Sequence, residues 1–404
     1  MILSPHRQGN HGSIIALGTA VPAQAVTQDQ ALEVSGDIIC ENDRQKRMLR
    51  MLYRKSGVSS RRTVIPWSAS EFWTKKEHRG PGTGMRIEMY ERYAPLLASA
   101  SSRAALGLPS PTHDVTTKQS PKDPLMVPGG VESVSAGVAV KPARIDPKTV
   151  THLVTVSCTG FAAPGFDWAL FETLGLRDDV QRVQVGFMGC HGMINGLRVA
   201  RGLAAAEPDA VILVCAVELC SLHYRMNWEN EAMIGNALFA DGSAAAVVVG
   251  PNHPAAHQMT DAGTALSLAA SGSVRIPESE DQMTWRIGDF GFDMNLSGQV
   301  PISIRAHLAE WMSEWLRGQD LSISDIGGWM VHPGGPRILD ATEEALALEP
   351  SALAVSRSIL NNYGNMSSPT VLFVLQQTLR QKRTGPWVLL AFGPGLVAEA
   401  MLLR

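Results

Sequence analysis

The sequence predicts an α/β fold made of two similar halves, each with a parallel sheet that is covered by helices on both faces. Strands rich in β-branched residues alternate with helices from Asp146 onward, and short loops join them. This alternation is typical of parallel sheets with helical crossovers. The same order returns in the C-terminal part, after a Pro-rich turn cluster at 250–257. We therefore expect an internally duplicated core, with halves at 1–250 and 251–404.

The first predicted element is a buried strand. The apolar segment 14–19 (IIALGT) leads into a Val-Pro turn. Residues 12–25 also resemble a secretory signal peptide, because an apolar core precedes an Ala-Gln-Ala site. The strand is the better interpretation, since the apolar stretch is short and Gly18 and Thr19 interrupt it.

Helices are predicted to follow this strand. Residues 28–62 are predicted to be helical and carry many Arg and Lys side chains, and a second helix is expected over 86–106, with a kink at Pro95. Residues 107–130 are rich in Pro, Ser, Thr, Gly and Lys and show no apolar period. We expect them to form a mobile surface insertion.

The remaining elements follow from short β-branched runs, which predict strands, and from longer amphipathic or small-residue-rich runs, which predict helices. All strands are expected to be buried, and 367–381 is expected to be the longest C-terminal helix. The predicted strands are 151–157, 180–188, 210–219, 243–250, 327–333 and two within 387–403, and the predicted helices are 166–176, 192–206, 338–348 and 367–381.

Composition excludes several functional classes. The chain has 404 residues, of which 45% are hydrophobic and 18% charged, and a formal net charge of −3. These values are typical of an ordinary globular protein. They indicate no overall positive electrostatic potential that would attract nucleic acid or anionic membranes. No apolar run approaches the ~18 residues that a membrane-spanning helix needs. We therefore expect neither a nucleic-acid partner nor a membrane span.

The cysteines indicate a reducing compartment. The five residues are widely scattered and odd in number, which is typical of free thiols in the cytoplasm rather than of a disulfide framework. Neither a CxxC pair nor an HExxH motif occurs. We therefore predict a cytoplasmic protein without a metal site.

Cys190 is the first candidate for chemistry. It follows a predicted strand and begins a predicted helix, between Gly189 and Gly192 in MGCHG. Unpaired N–H groups and the helix dipole stabilise a thiolate at such a position, and a nearby imidazolium would lower the thiol pKa further. The glycines allow a sharp turn that presents the side chain. A buried structural cysteine is an equally good interpretation of this segment alone.

His332 and Asn365 are candidate partners of this cysteine. His332 lies at the C-terminal end of a predicted strand, where open α/β sheets bind their ligands, and an imidazole there can act as the base of a thiol. Asn365 precedes a predicted helix, so its amide either caps that helix or donates to an oxyanion. A capping role is also open for His332. The three residues together are more specific than any one of them.

Six segments of the chain form strings that occur together in one known family. They are VSCTGFAAPGFD (156–167), MGCHGMINGLRVA (188–200), NALFADGSAAAVVVG (236–250), WMVHPGGPRILD (329–340), YGNMSSPTVLF (363–373) and FGPGL (392–396). With them the chain resembles the type III polyketide synthases, which include the chalcone and stilbene synthases and bacterial relatives. The segments follow the family's order from 146 to 404, and the N-terminal third matches more loosely.

The resemblance implies a thiolase-like fold, an internal duplication in five αβαβα layers, and a homodimer. Cys190 then matches the family's nucleophile, with His332 and Asn365 as its catalytic partners. The implied reaction is iterative. A starter acyl-CoA loads the cysteine, malonyl-CoA is decarboxylated to an enolate, and the enolate extends the chain until a pyrone or phenolic product is released. CoA thioesters are the substrates, and no cofactor is implied.

The resemblance also assigns residues around the cavity. Phe239 and Phe292 match two phenylalanines that gate it, and Ser367 matches a serine beside the nucleophile. Lys55 matches a cation that contacts CoA. Arg337, just past the His-Pro-Gly-Gly-Pro string, is a further candidate for a CoA phosphate.

Three further residues, at positions that line the pocket in the family, bear on the choice of the starter acyl group. Cys158, Cys220 and His223 replace threonines that line the pocket of the plant enzymes. Thiols in place of hydroxyls favour a more apolar guest. We therefore expect a fatty-acyl or other aliphatic starter.

Two other functions remain open at the level of sequence. A ketosynthase III or a fatty-acid elongation condensing enzyme, both β-ketoacyl synthases, uses the same three residue types, although the HPGGP and GNMSSP strings fit the type III synthases better. A non-catalytic thiolase-fold partner is the other alternative. Such chains typically lose the nucleophile, whereas Cys190, His332 and Asn365 are all present here.

Overall fold

The computed structural model describes residues 12–66, 80–109, 131–133, 144–256, 266–381 and 384–404. The predicted insertion at 107–130 lies outside this part of the chain except for residues 107–109. The last residue of the predicted 250–257 boundary also lies outside it.

The N-terminal part opens on a strand that is buried along its whole length, as predicted. The strands and helices predicted between 151 and 250 are confirmed, with ends that differ by a few residues. The elements are β1 (Ser13–Pro22), β2 (Ala25–Thr27), α1 (Gln28–Ile39), α2 (Asp43–Arg54), β3 (Ser60–Arg62), α3 (Thr83–Ala105), β4 (Val131–Ser133), β5 (His152–Ser157), α4 (Phe166–Leu174), β6 (Gln181–Gly186), α5 (Gly192–Ala206), β7 (Val211–Leu219), α6 (Asn230–Leu238) and β8 (Asp241–Val249).

The C-terminal part begins with three strands and one helix, followed by a fourth strand, three helices and two final strands. Its last two strands surround the Gly-Pro-Gly turn, as predicted. The elements are β9 (Leu266–Arg275), β10 (Met283–Gly288), β11 (Gly291–Leu296), α7 (Val300–Arg317), β12 (Gly328–Val331), α8 (Pro336–Leu346), α9 (Ala354–Tyr363), α10 (Thr370–Leu379), β13 (Trp387–Gly393) and β14 (Val397–Leu403).

Ten strands form one sheet in the order β12-β13-β14-β9-β1-β8-β7-β5-β6, with β4 paired to β1. The prediction of a parallel sheet is wrong for most pairs. Only β12–β13, β5–β6 and β5–β7 are parallel, whereas β7–β8, β1–β8, β13–β14 and β14–β9 are antiparallel. A tight turn such as that between β13 and β14 can join only antiparallel neighbours. The two halves of the sheet meet at a narrow seam, where Ser13 and Ile14 pair with 266–267.

Two helices, α5 and α10, lie between the halves of the sheet. Leu197 of α5 and Leu372 of α10 share one core with Val154 of β5 and Leu389 of β13, so this core belongs to both halves. Helix α3 covers β1, β7 and β8 on the outside, and α7 and α8 cover the C-terminal strands. The result is the predicted arrangement of five layers, αβαβα.

Three predicted elements differ from the structure. Residues 28–62 form two helices and a strand, because Asn42 caps a new helix by accepting from the Gln45 N–H at 3.1 Å. Strand β6 is largely exposed rather than buried, since it lies at the edge of the sheet. Helix α10 has 10 residues and α7 has 18, so 367–381 is not the longest C-terminal helix. No helix of the described residues is long and apolar enough to cross a membrane.

Candidate active site

Cys190 lies in a single 3-10 turn, Gly189–His191, between β6 and α5. Gly189 has a φ of +65°, a left-handed conformation that favours glycine. A Cβ at Gly189 would lie 2.5 Å from Cδ of Pro394, so the turn packs directly on the Gly-Pro-Gly turn of the other half. Both observations explain the glycine before the cysteine. The predicted position, at the start of a helix after a strand, is confirmed.

His332 directly follows β12, at the carboxyl end of the strand. Its main-chain N–H donates to the Leu390 oxygen at 2.8 Å, which fixes the backbone there. The side chain is buried, and within the described residues neither ring nitrogen has a hydrogen-bond partner. Burial lowers the pKa of His332 to about 3, and nearby His191 adds to the shift. The imidazole is therefore neutral and both of its nitrogens can serve a substrate.

Asn365 is held by main chain and side chain. Its N–H donates to the Leu238 oxygen and its C=O accepts from the Ala240 N–H, at 2.8 and 2.9 Å. Its side-chain Oδ1 accepts from the N–H of Ser367 at 2.8 Å, which fixes the amide orientation. The Nδ2 group makes a long contact, 3.4 Å, to the Gly334 oxygen. The amide also reaches the Cys190 thiol, so it can donate to a ligand bound there.

The Cys190 thiol is partly exposed in the cavity that it shares with His332 and Asn365. Burial raises its pKa to about 11, while hydrogen bonds from Ser367 and Asn365 act in the opposite direction. The predicted lowering of this pKa is wrong for the structure, because removal of the thiolate from water outweighs the favourable contacts. The resting site therefore holds a thiol beside a neutral imidazole.

One cavity brings together nine of the eleven residues that the sequence singled out. It holds about 1000 Å³ of space, including its open mouth. Apolar side chains such as Met283, Met294, Leu296 and Ile338 form much of its remaining wall. The nine residues are Cys158, Cys190, Cys220, His223, Phe239, Phe292, His332, Asn365 and Ser367.

An aromatic cluster forms one wall of this cavity. The His223 ring stacks on Phe292 at 4.3 Å, and Trp285 meets both rings edge-on. His223 Nδ1 accepts from the Phe292 N–H at 3.0 Å, and Nε2 donates to the Thr159 oxygen at 2.7 Å. Burial lowers the pKa of His223 to about 3. His223 is thus neutral, and its ring and hydrogen bonds hold Phe292 in place. Trp285 is a further residue of this wall that the sequence analysis did not identify.

The two remaining candidates, Lys55 and Arg337, lie outside the cavity, on two chain segments that contact each other. Lys55 caps the C-terminal end of α2 and is exposed, and Arg337 is exposed at the start of α8. A Cβ at Gly57 would lie 2.9 Å from Pro336 Cγ, so the two segments touch. Arg337 makes one long contact, 3.4 Å, to the Gly298 oxygen.

Glu218 is a buried carboxylate that the sequence analysis missed. Its oxygens accept from the N–H groups of Cys158 and Thr159 and from the hydroxyls of Thr159 and Ser368, at 2.6 to 3.1 Å. Burial raises its pKa, and these donors act against that shift. A charged residue inside the apolar strand 210–219 was the signal that could have revealed it.

A second missed group lies on the other side of the nucleophile. His191 Nδ1 lies 2.7 Å from Asn195 Oδ1, and Asn195 Nδ2 donates to Glu399 at 3.2 Å. Arg198 forms an ion pair with the same carboxylate. The network joins α5 to β14 and so connects the nucleophile turn to the C-terminal half. No group of three or more potential metal ligands occurs among the residues that the structure describes.

Two family models match the chain. The model for the N-terminal domain of the chalcone and stilbene synthases matches residues 127–253, and the model for their C-terminal domain matches residues 267–404. Together they cover both halves of the sheet and all three candidate catalytic residues.

Individual proteins are similar over nearly the whole chain. The 1,3,6,8-tetrahydroxynaphthalene synthase of Streptomyces peucetius subsp. caesius is 32% identical over 395 residues, which is 97% of this chain and 93% of that protein. The α-pyrone synthesis polyketide synthase-like Pks18 of Mycobacterium tuberculosis is 30% identical over 396 residues, 96% of this chain and 90% of its own length.

Solved structures share the fold. PKS-I from the brown alga Ectocarpus siliculosus superposes with a TM-score of 0.82 at 28% identity, covering 97% of this chain and 98% of its own. The 1,3,6,8-tetrahydroxynaphthalene synthase of Streptomyces coelicolor A3(2), a bacterial type III polyketide synthase, gives 0.78 at 27% identity, with the same coverage. The five layers are therefore those of the thiolase fold, and the chain belongs to the chalcone and stilbene synthase family, as a type III polyketide synthase.

Proposed function

We propose that the enzyme extends an acyl group held as a thioester on Cys190 with units from malonyl-CoA. The observation that carries this proposal is the convergence of Cys190, His332 and Asn365 on one cavity. Each of the three has a chemical role that its surroundings support. No observation favours the β-ketoacyl synthase alternative.

Loading begins with the thiol and the neutral imidazole. Cys190 Sγ attacks the thioester carbon of the starter acyl-CoA, and His332 accepts the thiol proton. The C–S bond to CoA breaks, and the proton passes to the leaving CoA sulfur. Burial lowers the pKa of His332, so it is unprotonated at neutral pH. Because a low pKa also makes it a weak base, the thiol proton passes to it as the new C–S bond forms.

Extension requires an enolate. Malonyl-CoA loses CO2, and the electron pair of the broken C–C bond moves onto the thioester oxygen. The Asn365 amide N–H beside Cys190 and an N–H of His332 stabilise this oxygen, and neutral donors do so without protonating the carbanion. The carbanion attacks the Cys190 thioester, and the Cys190 sulfur leaves. The extended chain is now a thioester of CoA, and it returns to Cys190 by the same exchange as in loading, with release of CoA. Repetition lengthens the chain until cyclisation or hydrolysis releases a pyrone or phenolic product.

Lys55 and Arg337 are proposed to bind the phosphates of CoA. Both cations are exposed and belong to touching segments. Ile338, next to Arg337, lines the cavity, so a phosphate here would leave the pantetheine arm near the entrance. A resident cofactor or metal has no step in this mechanism.

An aliphatic starter fits the cavity better than a polar one. Cys158 and Cys220 present thiols, and eight further lining residues are Met, Leu, Ile, Phe or Trp, beside polar residues such as Thr284 and Arg225. Methionine side chains adapt to flexible guests. We therefore propose a fatty-acyl starter.

A homodimer is proposed from the exposed edge of the sheet. Strand β6 has unpaired backbone groups on one side, and Val183 on it is 38% exposed. Phe161, Trp168 and Met188, close to it in sequence, are also large exposed apolar residues. A second copy that covers this face would bury both features. Light scattering of the purified protein tests this, and a monomer at micromolar concentration contradicts it.

The test of the function uses malonyl-CoA with acetyl-, hexanoyl-, decanoyl- and cinnamoyl-CoA. Intact-protein mass spectrometry should show the acyl mass on the wild type and none on Cys190→Ala. Product mass spectra should show added two-carbon units. Release of CO2 from malonyl-CoA should persist in Cys190→Ala and fall in Asn365→Ala. This difference separates acyl loading from decarboxylation. Products from cinnamoyl-CoA alone would overturn the aliphatic starter, and a strict need for malonyl-acyl carrier protein would overturn the type III reaction.

A further inference from the structure

Helix α2 presents one basic face to solvent. Arg44, Arg47, Met48, Met51 and Lys55 follow one another at the spacing i, i+3, i+4, i+7 and i+11, which places them on one side of the helix. All five are exposed, with Met48 at 48% and Met51 at 59%. The opposite side of α2 carries the buried residues of the helix. We call these five residues the α2 face.

The α2 face lacks counter-charges within the described part of the chain. None of Arg44, Arg47 and Lys55 forms an ion pair there, and Lys46, off this face, pairs with Asp37 at 4.0 Å. Asp43 in the first turn is the only acidic residue of the helix. This local positive charge stands against a net charge of −3 for the whole chain. The face is therefore complementary to an anionic partner.

The α2 face also runs to the rim of the cavity. Its C-terminal residue, Lys55, precedes Gly57, which touches Pro336. Two residues further, Ile338 lines the cavity. Helix α2 packs on α6, whose residues Gly235 and Asn236 also line it.

The dimensions of the face exceed what one CoA molecule needs. From Arg44 to Lys55 it extends about 16 Å. The phosphates of CoA are accounted for by Lys55 and Arg337 at one end. The exposed methionines offer apolar contact between the arginines, a pattern that suits a protein helix with acidic and apolar side chains.

We propose that the α2 face docks an acidic acyl carrier protein, which delivers the starter from its phosphopantetheine arm to Cys190. The inference rests on the proposed function, in which Cys190 accepts a thioester. Arg44 and Arg47 pair with carboxylates of the carrier, and Met48 and Met51 pack between them. Malonyl-CoA remains the extender.

The transfer is a thioester exchange. Cys190 Sγ bonds to the acyl carbon as the bond from that carbon to the phosphopantetheine sulfur breaks. The Cys190 proton passes through His332 to the released phosphopantetheine sulfur. No oxidant, reductant or further reactant is required.

The experiment compares decanoyl-acyl carrier protein with decanoyl-CoA as donors to the full-length enzyme. The rate of Cys190 acylation is followed by intact-protein mass spectrometry. The variant is Arg44→Glu/Arg47→Glu, which leaves Lys55 in place. The matched control is Arg144→Glu/Arg317→Glu, two exposed arginines outside α2 that, like Arg44 and Arg47, form no ion pair within the described residues, and it changes the net charge equally.

We expect both donors to acylate the wild type. The α2 variant should be slowed about tenfold or more with the carrier protein and stay within about twofold with decanoyl-CoA. The control variant should be unaffected with both donors. Thermal unfolding and the decanoyl-CoA rate verify that the α2 variant is folded.

Four results overturn the proposal. Acylation by decanoyl-CoA alone rejects the carrier while the proposed function stands. Equal rates of the α2 variant and the control with the carrier reject this face. Binding of the wild type to phosphatidylglycerol vesicles, lost in the α2 variant and without transfer from the carrier, assigns the face to an anionic membrane instead. Acylation by neither donor overturns the proposed function as well.

Discussion

Trp285 donates a hydrogen bond from its indole Nε1 to the main-chain oxygen of Cys158, at 2.7 Å. The Cys158 thiol in turn lies 3.5 Å from the Ser367 hydroxyl, which reaches Cys190. The aromatic wall and the nucleophile are thus connected through one cysteine. Cavity shape and catalytic geometry are therefore coupled in this enzyme.

Replacement of Trp285 should change product length. Trp285→Ala removes the side chain that closes the wall beside His223 and Phe292, so we expect at least one more malonyl unit in the main product. Trp285→Phe keeps a ring and loses only the hydrogen bond, and it should retain the wild-type product at a lower rate. Product mass spectra with one fixed starter measure both. Identical product sets for Trp285→Ala and the wild type would refute the idea of a limiting wall.

The reactivity of Cys190 should rise with pH. Its raised pKa leaves it a thiol at neutral pH, and the thiolate fraction grows about tenfold per pH unit below that pKa. Iodoacetamide labelling of the free enzyme should therefore increase steadily between about pH 6 and about pH 9, without a plateau. Ser367→Ala removes a contact that lowers the pKa and should shift the curve to higher pH. A plateau already present at low pH would instead reveal a thiolate–imidazolium pair.

His191 should position the nucleophile turn. His191→Phe keeps an aromatic ring against Gly393 but loses the 2.7 Å contact to Asn195. We expect kcat to fall about tenfold with little change in KM for the acyl-CoA, because the thiol is displaced while the binding surface is intact. His191→Asn, whose amide Nδ2 can still donate to Asn195 Oδ1, is the matched control and should stay closer to wild type. An equal loss in both variants would point to general destabilisation.

Glu218 should stabilise the fold and lower the reactivity of the Cys190 thiol. Glu218→Gln turns an amide N–H toward groups that are all donors, and the loss of their acceptor should lower the free energy of unfolding by about 1–3 kcal/mol. Glu218 also raises the pKa of Cys190, so its neutralisation should speed labelling at neutral pH. Thermal unfolding and iodoacetamide labelling measure the two effects. An unchanged melting temperature together with slower labelling would contradict both.

Local patterns predicted the elements near the site well. A β-branched run followed by glycines located the Cys190 turn, and a strand followed by His-Pro-Gly-Gly-Pro located His332. These signals are local, because strand runs and glycine turns act through their own backbone. The specific strings then led to nine residues that line one cavity.

Properties that depend on distant packing were not predictable in this way. The burial of Cys190 reversed the expected direction of its pKa shift, and the exposure of β6 depends on its place in the strand order. Trp285 contacts Cys158, and Asn195, the partner of His191, contacts Glu399; both contacts join residues more than 100 positions apart. A single sequence contains no local pattern for such contacts.

The contact between Gly189 and Pro394 has a consequence for biosynthesis. The turn that presents the cysteine rests on a residue about 200 positions further along the chain. During translation the thiol is made long before its support emerges from the ribosome. We therefore expect the nascent chain to remain inert toward thioesters until β13 and β14 have folded, which protects the incompletely folded chain from premature acylation.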